Sequence, residues 1–98
     1  MIRVVLPYHL QNLAGIKGEL RLEIKGPISQ ETILDALEAK YPMLAGTIRD
    51  HTHKRRRPFL RFFACSEDIS FESPQAALPS KIASGDEPFY IVGAISGG

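Results

Sequence analysis

Several residue types are scarce in this sequence, and each shortage excludes a class of protein. The 98 residues include no tryptophan and one cysteine, which excludes an intramolecular disulfide framework and a cysteine-based zinc cluster. No run approaches the roughly 18 apolar residues of a membrane helix, and the opening residues turn polar too soon for a signal peptide. The formal net charge is only +1. We therefore expect one soluble domain, spanning 1–98, in the cytoplasm.

Charge is balanced over the whole chain but not along it. Residues 49–61 carry a net charge of +5, and the remaining residues together carry −4. Such a basic run is usually a solvated loop, but it can also bind phosphates or an acidic partner, here through Arg55, Arg56 and Arg57. The run has no aromatic residue before Phe59, which disfavours recognition of nucleic acid.

Alternating and β-branched segments predict four strands. The clearest is 19–24, where leucine and isoleucine side chains share one face and charged side chains the other. The other predicted strands are 2–6, 59–65 and 89–95. The last of them is apolar on both faces, as expected of a central strand. Segment 9–18 is predicted to be a turn region, and the prolines of 66–84 exclude long regular elements there.

One helix is predicted between the second and third strands. Ser29 is a natural N-cap, Glu31 suits the positive end of the helix dipole, and apolar residues follow at helical spacing. Pro42 ends the helix, because the residue before a proline is pushed out of the α region. These elements predict an α+β domain, a mixed sheet of four to five strands with one main helix packed across it.

The third predicted strand suggests a partner surface. Its alternation places Arg61 and Phe63 on the face opposite Leu60 and Phe62. Arg61 marks that face as the outer one, so Phe63 would be exposed unless another molecule covers it. We therefore expect Arg61 and Phe63 to contribute to partner binding.

The predicted central strand leads directly into Ser96-Gly97-Gly98. Two final glycines also occur by chance or at a frayed end, but their position after a rigid strand is informative. Glycine lacks a Cβ, so such a tail can pass through a narrow channel into a partner's active site. The Gly98 α-carboxylate is ionised at neutral pH. It can attack a nucleotide phosphate when another protein stabilises the developing charge.

These features resemble the MoaD/ThiS group of ubiquitin-like, β-grasp sulfur carriers over nearly the whole chain. The matching motifs are Leu13-Ala14-Gly15 after the first strand, the helix ending at Tyr41-Pro42, the turn Ser84-Gly85-Asp86-Glu87, and the final Gly97-Gly98. Residues 57–71 are most similar to the branch that contains the cysteine-biosynthesis carrier. The chain departs from the group at Cys65-Ser66-Glu67-Asp68, where an Asn-Gly or Asn-Asp turn is common.

The resemblance implies a β-grasp domain with a flexible tail at 97–98, acting as a co-substrate without catalytic residues, bound cofactor or metal of its own. An E1-like enzyme would adenylate Gly98 with ATP, and a persulfide or sulfide would displace AMP to leave a thiocarboxylate. Gly97 and Ser96 would provide reach. The sulfur would serve cysteine, thiamine or molybdopterin synthesis or tRNA thiolation. A large catalytic subunit is a further partner in the molybdopterin case, and attachment to lysines is another fate.

Other candidate sites have less support. His51 and His53 could ligate a metal with Cys65 or His9, but the adjacent cations oppose metal binding. No base can be placed beside Cys65 from the sequence, so a reactive thiol has no visible activation. The neighbouring carboxylates Glu67-Asp68 point apart on a strand, which disfavours a general acid/base pair.

The rival hypothesis is an interaction module without activation chemistry. In it, segment 49–61 binds an acidic protein or RNA, and the final glycines are incidental. The two hypotheses differ over Gly98, whose loss would abolish the function of a carrier. Neutralising Arg55, Arg56 and Arg57 would instead abolish the function of the module, with a strong salt dependence if phosphates are bound.

Overall fold

A computed structural model describes residues 1–93 and shows a mixed five-stranded sheet. The strands are β1 (Ile2–Val5), β2 (Glu19–Leu22), β3 (Leu60–Ala64), β4 (Glu67–Asp68) and β5 (Phe89–Gly93). Their order across the sheet is β2-β1-β5-β3-β4. The neighbours β1 and β5 are parallel, and all other neighbours are antiparallel. The predicted α+β class and mixed sheet are confirmed.

Three α-helices connect these strands. They are α1 (Tyr8–Ala14), α2 (Gln30–Lys40) and α3 (Ser80–Ser84), and a 3-10 turn (Pro42–Leu44) follows α2. The prediction for α2 is confirmed at both ends. Ser29 forms a capping box with Thr32, and Tyr41 is the C-cap immediately before Pro42.

Helix α1 corrects the prediction of a turn region at 9–18. Pro7 fixes the entry, since its carbonyl accepts hydrogen bonds from the N–H groups of Leu10 and Gln11. Gly15 ends the helix in the left-handed region, with φ of 71°. Only Leu10 of this helix is buried. The sequence therefore lacks the apolar periodicity from which a helix is normally predicted.

The observed strands are shorter than predicted. Segment 59–65 ends as a strand at Ala64, because Cys65 and Ser66 both adopt positive φ, at 51° and 69°. They form a two-residue turn that pairs Ala64 with Glu67, as primed hairpin turns do. The hairpin turn therefore forms here with Cys65 and Ser66 at its centre. Of predicted strand 89–95, the last two residues lie outside the described part of the chain.

The hydrophobic core lies between α2 and one face of the sheet. Val4, Phe62, Phe89 and Ile91 from the sheet join Leu37 of α2 in one buried cluster. The rings of Phe62 and Phe89 have centroids 5.4 Å apart in a tilted arrangement. Such a pair adds roughly 1 kcal/mol beyond the burial of its area. This packing fixes β3 and β5 side by side at the centre of the domain.

The turn before β5 requires a glycine at position 85. Its φ is +85°, and an added Cβ would lie 2.6 Å from the Met1 carbonyl oxygen. The Gly85 carbonyl accepts a 2.7 Å hydrogen bond from Arg3 Nε. We expect Gly85→Ala to lower the free energy of unfolding by at least about 2 kcal/mol, because left-handed strain and a backbone clash add.

A urea titration of the Gly85 variant checks this expectation. Gly15→Ala is the matched control, since Gly15 has a similar φ of +71° but no atom within 4 Å of an added Cβ. It should lose only the left-handed term, about 1 kcal/mol. Equal losses in the two variants would contradict the role given to the Met1 contact.

Candidate functional site

Strand β5 occupies the middle of the sheet, as the sequence predicted. Tyr90 lies between Val5 of β1 and Phe63 of β3. Only one face of β5 is covered, however. Tyr90 and Val92 remain 42% and 40% exposed, so the doubly apolar pattern does not arise from burial on both faces. An uncovered apolar face on a central strand is typical of a surface that meets another protein.

The uncovered side of the sheet forms a continuous surface, which we call the open face. Its centre is the cross-strand row of Val5, Tyr90 and Phe63. The next row pairs Val92 with Arg61. Phe63 and Arg61 are half-buried, so the two side chains expected to bind a partner lie together. Whether they bind one remains a prediction.

Arg61 is held at the edge of the open face by two neighbours. Its guanidinium lies 3.3 Å from the Asp68 carboxylate and 5.1 Å from the ring centroid of Phe71. Phe71 is 80% exposed, and its ring also has the Arg56 guanidinium at 5.0 Å. Cations over an aromatic ring at such distances are attracted by its electron-rich face. The open face therefore ends in a fixed cationic and aromatic rim.

The end of β5 is close to the start of α1. Gly93 pairs with Leu60 of β3, and a Cβ added to Gly93 would lie 3.8 Å from Pro7 Cβ and 3.9 Å from His9 Cε1. Gly93 is the last described residue, so the predicted functional residues Ser96, Gly97 and Gly98 lie outside the described part of the chain. The structure therefore describes the chain up to the end of β5, where Gly93 lies beside Leu60 and Pro7.

Part of the basic segment 49–61 is structural. Arg49 is 3% exposed, and its guanidinium contacts the carboxylates of Asp35 at 2.5 Å and Glu38 at 2.9 Å. Burial opposes the charged form of Arg49, but the hydrogen bonds and charges of Glu38 and Asp35 outweigh it, so its pKa lies above the ordinary value. Arg49 therefore anchors the segment to α2. The interpretation of the whole segment as a solvated loop is wrong at this residue.

The three arginines proposed for partner binding have different environments. Arg57 donates two hydrogen bonds to the Gly46 carbonyl, at 3.0 and 2.8 Å. Arg56 donates to the carbonyls of Ser70, Arg57 and Leu60. Only Arg55 is exposed. The sequence run therefore contains fewer freely available cations than its charge indicates, because side chains adjacent in sequence are committed to backbone carbonyls.

Two carboxylates, the half-buried Asp50 and the exposed Asp68, are stabilised as anions and define a pH dependence. Hydrogen bonds from the backbone of His53 and Arg55 lower the pKa of Asp50. Hydrogen bonds from Ser70 lower the pKa of Asp68, and the positive charge of Arg61 adds to this. Both carboxyls lose a proton more readily in the folded chain than in the unfolded chain. They therefore stabilise the fold above the ordinary aspartate pKa of about 3.9, and the stabilisation is lost as pH falls through their lower native values.

We expect the double variant Asp50→Asn, Asp68→Asn to flatten the acid side of the stability curve. Its free energy of unfolding should fall less steeply than that of the parent chain below about pH 4. Urea titrations between neutral pH and pH 2 measure this slope. An unchanged slope would mean that neither carboxyl is linked to folding.

The remaining candidate residues do not form a site in the described chain. Residues 1–93 contain no group of three or more His, Cys, Asp or Glu side chains that could hold a metal ion. Cys65 is half-buried in the hairpin turn, and His51 and His53 are exposed. In the same range, no helix has the length and apolar character needed to cross a lipid bilayer.

The sheet order, the crossing helix and the central position of β5 define the β-grasp fold. Solved structures share it. The small archaeal modifier protein SAMP1 from Haloferax volcanii superposes with a TM-score of 0.74 at 19% identity, covering 98% of this chain and 97% of that one. CysO from Mycobacterium tuberculosis gives 0.75 at 21% identity, covering 97% and 100%. A chain of the Amycolatopsis orientalis BexX/CysO complex gives 0.75 at 18% identity over both full lengths.

These neighbours are ubiquitin-like proteins of the MoaD/ThiS type. The predicted resemblance, including the branch of the cysteine-biosynthesis carrier, is therefore confirmed for the fold. With sequence identities of 21% or less, these comparisons establish the fold alone. No protein-family model and no curated protein sequence matches the chain.

Sequence reasoning missed two contributors to the open face, Tyr90 and Val92. The sequence predicts a strand that is apolar on both faces, and such an apolar run does not reveal whether both faces are covered. The alternation of β3 was the available signal. If Arg61 and Phe63 point outward, the residues that pair with them on β5 must point outward too.

Proposed function

We propose that this protein is a ubiquitin-like sulfur carrier that is activated at the α-carboxylate of Gly98. The observation that carries the proposal is the position of β5. It is the central strand of a β-grasp sheet, and in the sequence three residues separate its end at Gly93 from Gly97-Gly98. The shared fold of SAMP1 and CysO supports the same role. Strand β5 is thus a rigid platform at residue 93.

The chemistry takes place in a partner enzyme. The Gly98 carboxylate attacks the α-phosphate of ATP, releases pyrophosphate and forms an acyl adenylate. Sulfide then attacks the acyl carbon and expels AMP, which leaves a thiocarboxylate. A persulfide expels AMP in the same way but forms an acyl disulfide, and a thiol of the sulfur donor then attacks the donor's sulfur of that S–S bond, which forms a disulfide and releases the thiocarboxylate. The partner supplies the electrostatic stabilisation of the phosphoryl transfer. This chain contributes the carboxylate and no catalytic side chain, so it is a co-substrate.

The short distance in sequence between Gly93 and Gly98 supports a partner that contacts the body of this chain. Gly98 is the fifth residue after Gly93, and five extended residues span at most about 18 Å. An enzyme that holds residue 98 therefore comes close to the end of β5. The open face extends from that end, with Val92 exposed beside Arg61. We assign the open face to docking of the adenylating enzyme, with Phe63 and Tyr90 as the apolar contacts.

The adenylation step is tested by exchange of labelled pyrophosphate into ATP. The assay contains the E1-like enzyme of the same organism and this protein. The proposal expects exchange that depends on the protein and saturates with its concentration. The matched control is the same chain with Gly98 converted to a C-terminal amide, which removes the nucleophilic carboxylate and leaves every residue in place. Exchange with the amide would overturn the proposal.

Docking through the open face makes a separate prediction for Tyr90. We expect Tyr90→Thr to raise the KM of the activating enzyme for this protein about tenfold, because an exposed aromatic anchor is lost. The kcat should be unchanged, since Tyr90 does not reach the reacting atoms. Thr is a good strand former, so the fold should be retained. Steady-state kinetics at saturating ATP measures both constants.

The control for Tyr90 is Leu13→Thr. Leu13 is half-exposed on α1 and does not belong to the open face. It should leave the KM within about twofold of the parent value. A larger effect at Leu13 than at Tyr90 would place the docking surface around α1 instead.

The interaction-module alternative receives less support from the structure. Two of its three arginines, Arg56 and Arg57, donate hydrogen bonds to backbone carbonyls, which leaves Arg55 as the exposed cation of the three. The main proposal does not specify which molecule accepts the sulfur. Cysteine, thiamine and molybdopterin synthesis and tRNA thiolation all begin from the same thiocarboxylate.

A further inference from the structure

A pocket with a volume of about 370 Å³ opens where three segments of the chain meet. These segments are the start of α2, the turn at 53–56 and the stretch 70–75 that follows β4. The apolar part of the pocket is formed by Leu34, Phe62 and Pro74. This volume lies at the lower end of the range for small-molecule sites. The pocket therefore suits a ligand of about the size of an amino acid.

Gln30 presents a hydrogen-bond acceptor to this pocket. The residue is 3% exposed, and its Nε2 donates a 2.8 Å hydrogen bond to the Ile69 carbonyl. Because a carbonyl only accepts, this bond fixes the orientation of the amide, and no donor in residues 1–93 contacts Oε1. Every fully buried side-chain N or O atom in that range has a partner, so Oε1 opens into the pocket. An amide oxygen at such depth normally has a donor, and here the donor must come from the contents of the pocket.

Arg56 supplies a positive charge that is already held in position. Its Nε donates to the Ser70 carbonyl at 3.2 Å and its Nη1 to the Leu60 carbonyl at 2.6 Å. These bonds fix the guanidinium without neutralising it, and within residues 1–93 its Nη2 has no acceptor. Gln30 and Arg56 are bonded to the consecutive carbonyls of Ile69 and Ser70. An acceptor and a cation therefore lie near each other in one pocket.

The start of α2 is not available as an anion site. The Glu31 N–H donates to the Pro74 carbonyl, and the Thr32 N–H donates to Ser29 Oγ. The N–H groups that commonly bind an anion at the beginning of a helix are therefore already used. A negatively charged group in this pocket would bind at the turn 53–56 instead.

The charges around the pocket have both signs and lie on different walls. Arg49 is paired with Asp35 and Glu38, and Lys54 lies 3.9 Å from Glu38, so these four groups balance. The charged lining groups that remain are the cations Arg55 and Arg56 on one wall and the carboxylates Glu31 and Glu72 on the others. Separated charges without a net excess are complementary to a zwitterion. They do not favour a polyanion such as a nucleotide.

We propose that this pocket binds a free α-amino acid with an apolar side chain. The carboxylate of the ligand pairs with Arg56 Nη2 and with Arg55, through charge-assisted hydrogen bonds. The ammonium donates to Gln30 Oε1 and is attracted by the two lining carboxylates. The ligand's side chain packs on the apolar part of the pocket. This binding does not depend on activation of Gly98.

Titration of L-leucine into the full ¹⁵N-labelled chain tests this site, with NMR of the backbone and side-chain amides as the readout. The expected result is a saturable shift of the Gln30 side-chain amide signals, with half-saturation below about 10 mM. Two analogues remove one charge each. N-acetyl-L-leucine lacks the ammonium and L-leucinamide lacks the carboxylate, so each should bind at least about tenfold more weakly.

Two substitutions of exposed residues separate the two ends of the ligand. Arg55→Ala should weaken the binding of L-leucine about threefold and leave that of L-leucinamide unchanged. Glu72→Gln should weaken the binding of L-leucine similarly and leave that of N-acetyl-L-leucine unchanged. Both side chains are exposed, so the fold should be retained. Glu67→Gln is the matched control, since Glu67 is an exposed carboxylate on β4 outside the pocket.

Three results would overturn the proposal. The first is the absence of a saturable shift with L-leucine. The second is binding of N-acetyl-L-leucine or inorganic phosphate as tightly as L-leucine, which would show a simple anion site. The third is a set of shifts that maps to the open face and leaves the Gln30 side-chain signals in place.

Discussion

Removing Gly98 is expected to reduce activation by the E1-like enzyme by about 100-fold or more. The reacting carboxylate would then belong to Gly97, one residue closer to the platform formed by β5. One residue of extended chain is about 3.3–3.6 Å, and misplacing a reacting group by even 1 Å can cost a factor of about 100. Pyrophosphate exchange and thiocarboxylate formation should both be lost.

A change in folding cannot account for this loss if the melting temperature is kept. The described core is built from residues 2–91, so the shortened chain should melt within about 1–2 °C of the parent. Extending the chain by one glycine beyond Gly98 is a second control and should impair activation similarly. Activation of the shortened chain at the parental rate would contradict the role given to Gly98.

Replacing Arg49 with alanine is expected to lower the free energy of unfolding by about 3 kcal/mol. The change removes the cation that satisfies the largely buried carboxylate of Glu38 and the exposed one of Asp35. Breaking a buried pair by removing one partner costs roughly 3–5 kcal/mol. Because Asp35 is exposed, we expect a loss of unfolding free energy at the lower end of this range. Urea denaturation followed by circular dichroism measures the loss.

Arg55→Ala is the matched control for Arg49→Ala. It removes the same charge from the same segment, but Arg55 is exposed, so stability should change by no more than about 0.5 kcal/mol. Equal effects of the two substitutions would contradict the anchoring role of Arg49. If Arg55→Ala lost partner binding and Arg49→Ala did not, the interaction module would be favoured. The Arg55→Ala variant is expected to keep its fold, so its loss of binding would reflect a direct contact.

Local signals in the sequence predicted much of the fold. The Ser29 cap and Pro42 defined α2 to within a residue, since capping and proline sterics act over a few positions. The alternation of 19–24 identified β2 and its buried face. Helix α1 was missed because only Leu10 is buried in it, and a helix with one buried residue has no readable apolar period.

The site was only partly predictable for a similar reason. Phe63 was correctly placed on an uncovered face, because Arg61 shares that face. Tyr90 and Val92 required knowledge of which strands flank β5 and of what covers the second side of the sheet. Arg49 could not be separated from Arg55 by sequence, since its partners Asp35 and Glu38 lie in a different element. An ion pair between residues far apart in the sequence cannot be recognised from the number of charges in one segment.

The most direct test of the carrier role is the intact mass of the protein after incubation with ATP, the E1-like enzyme of the same organism and a sulfur source. The carrier account predicts replacement of one oxygen by sulfur, located at Gly98 by fragmentation of the final peptide. An unchanged mass, with the same enzyme shown to convert another carrier protein, would contradict it.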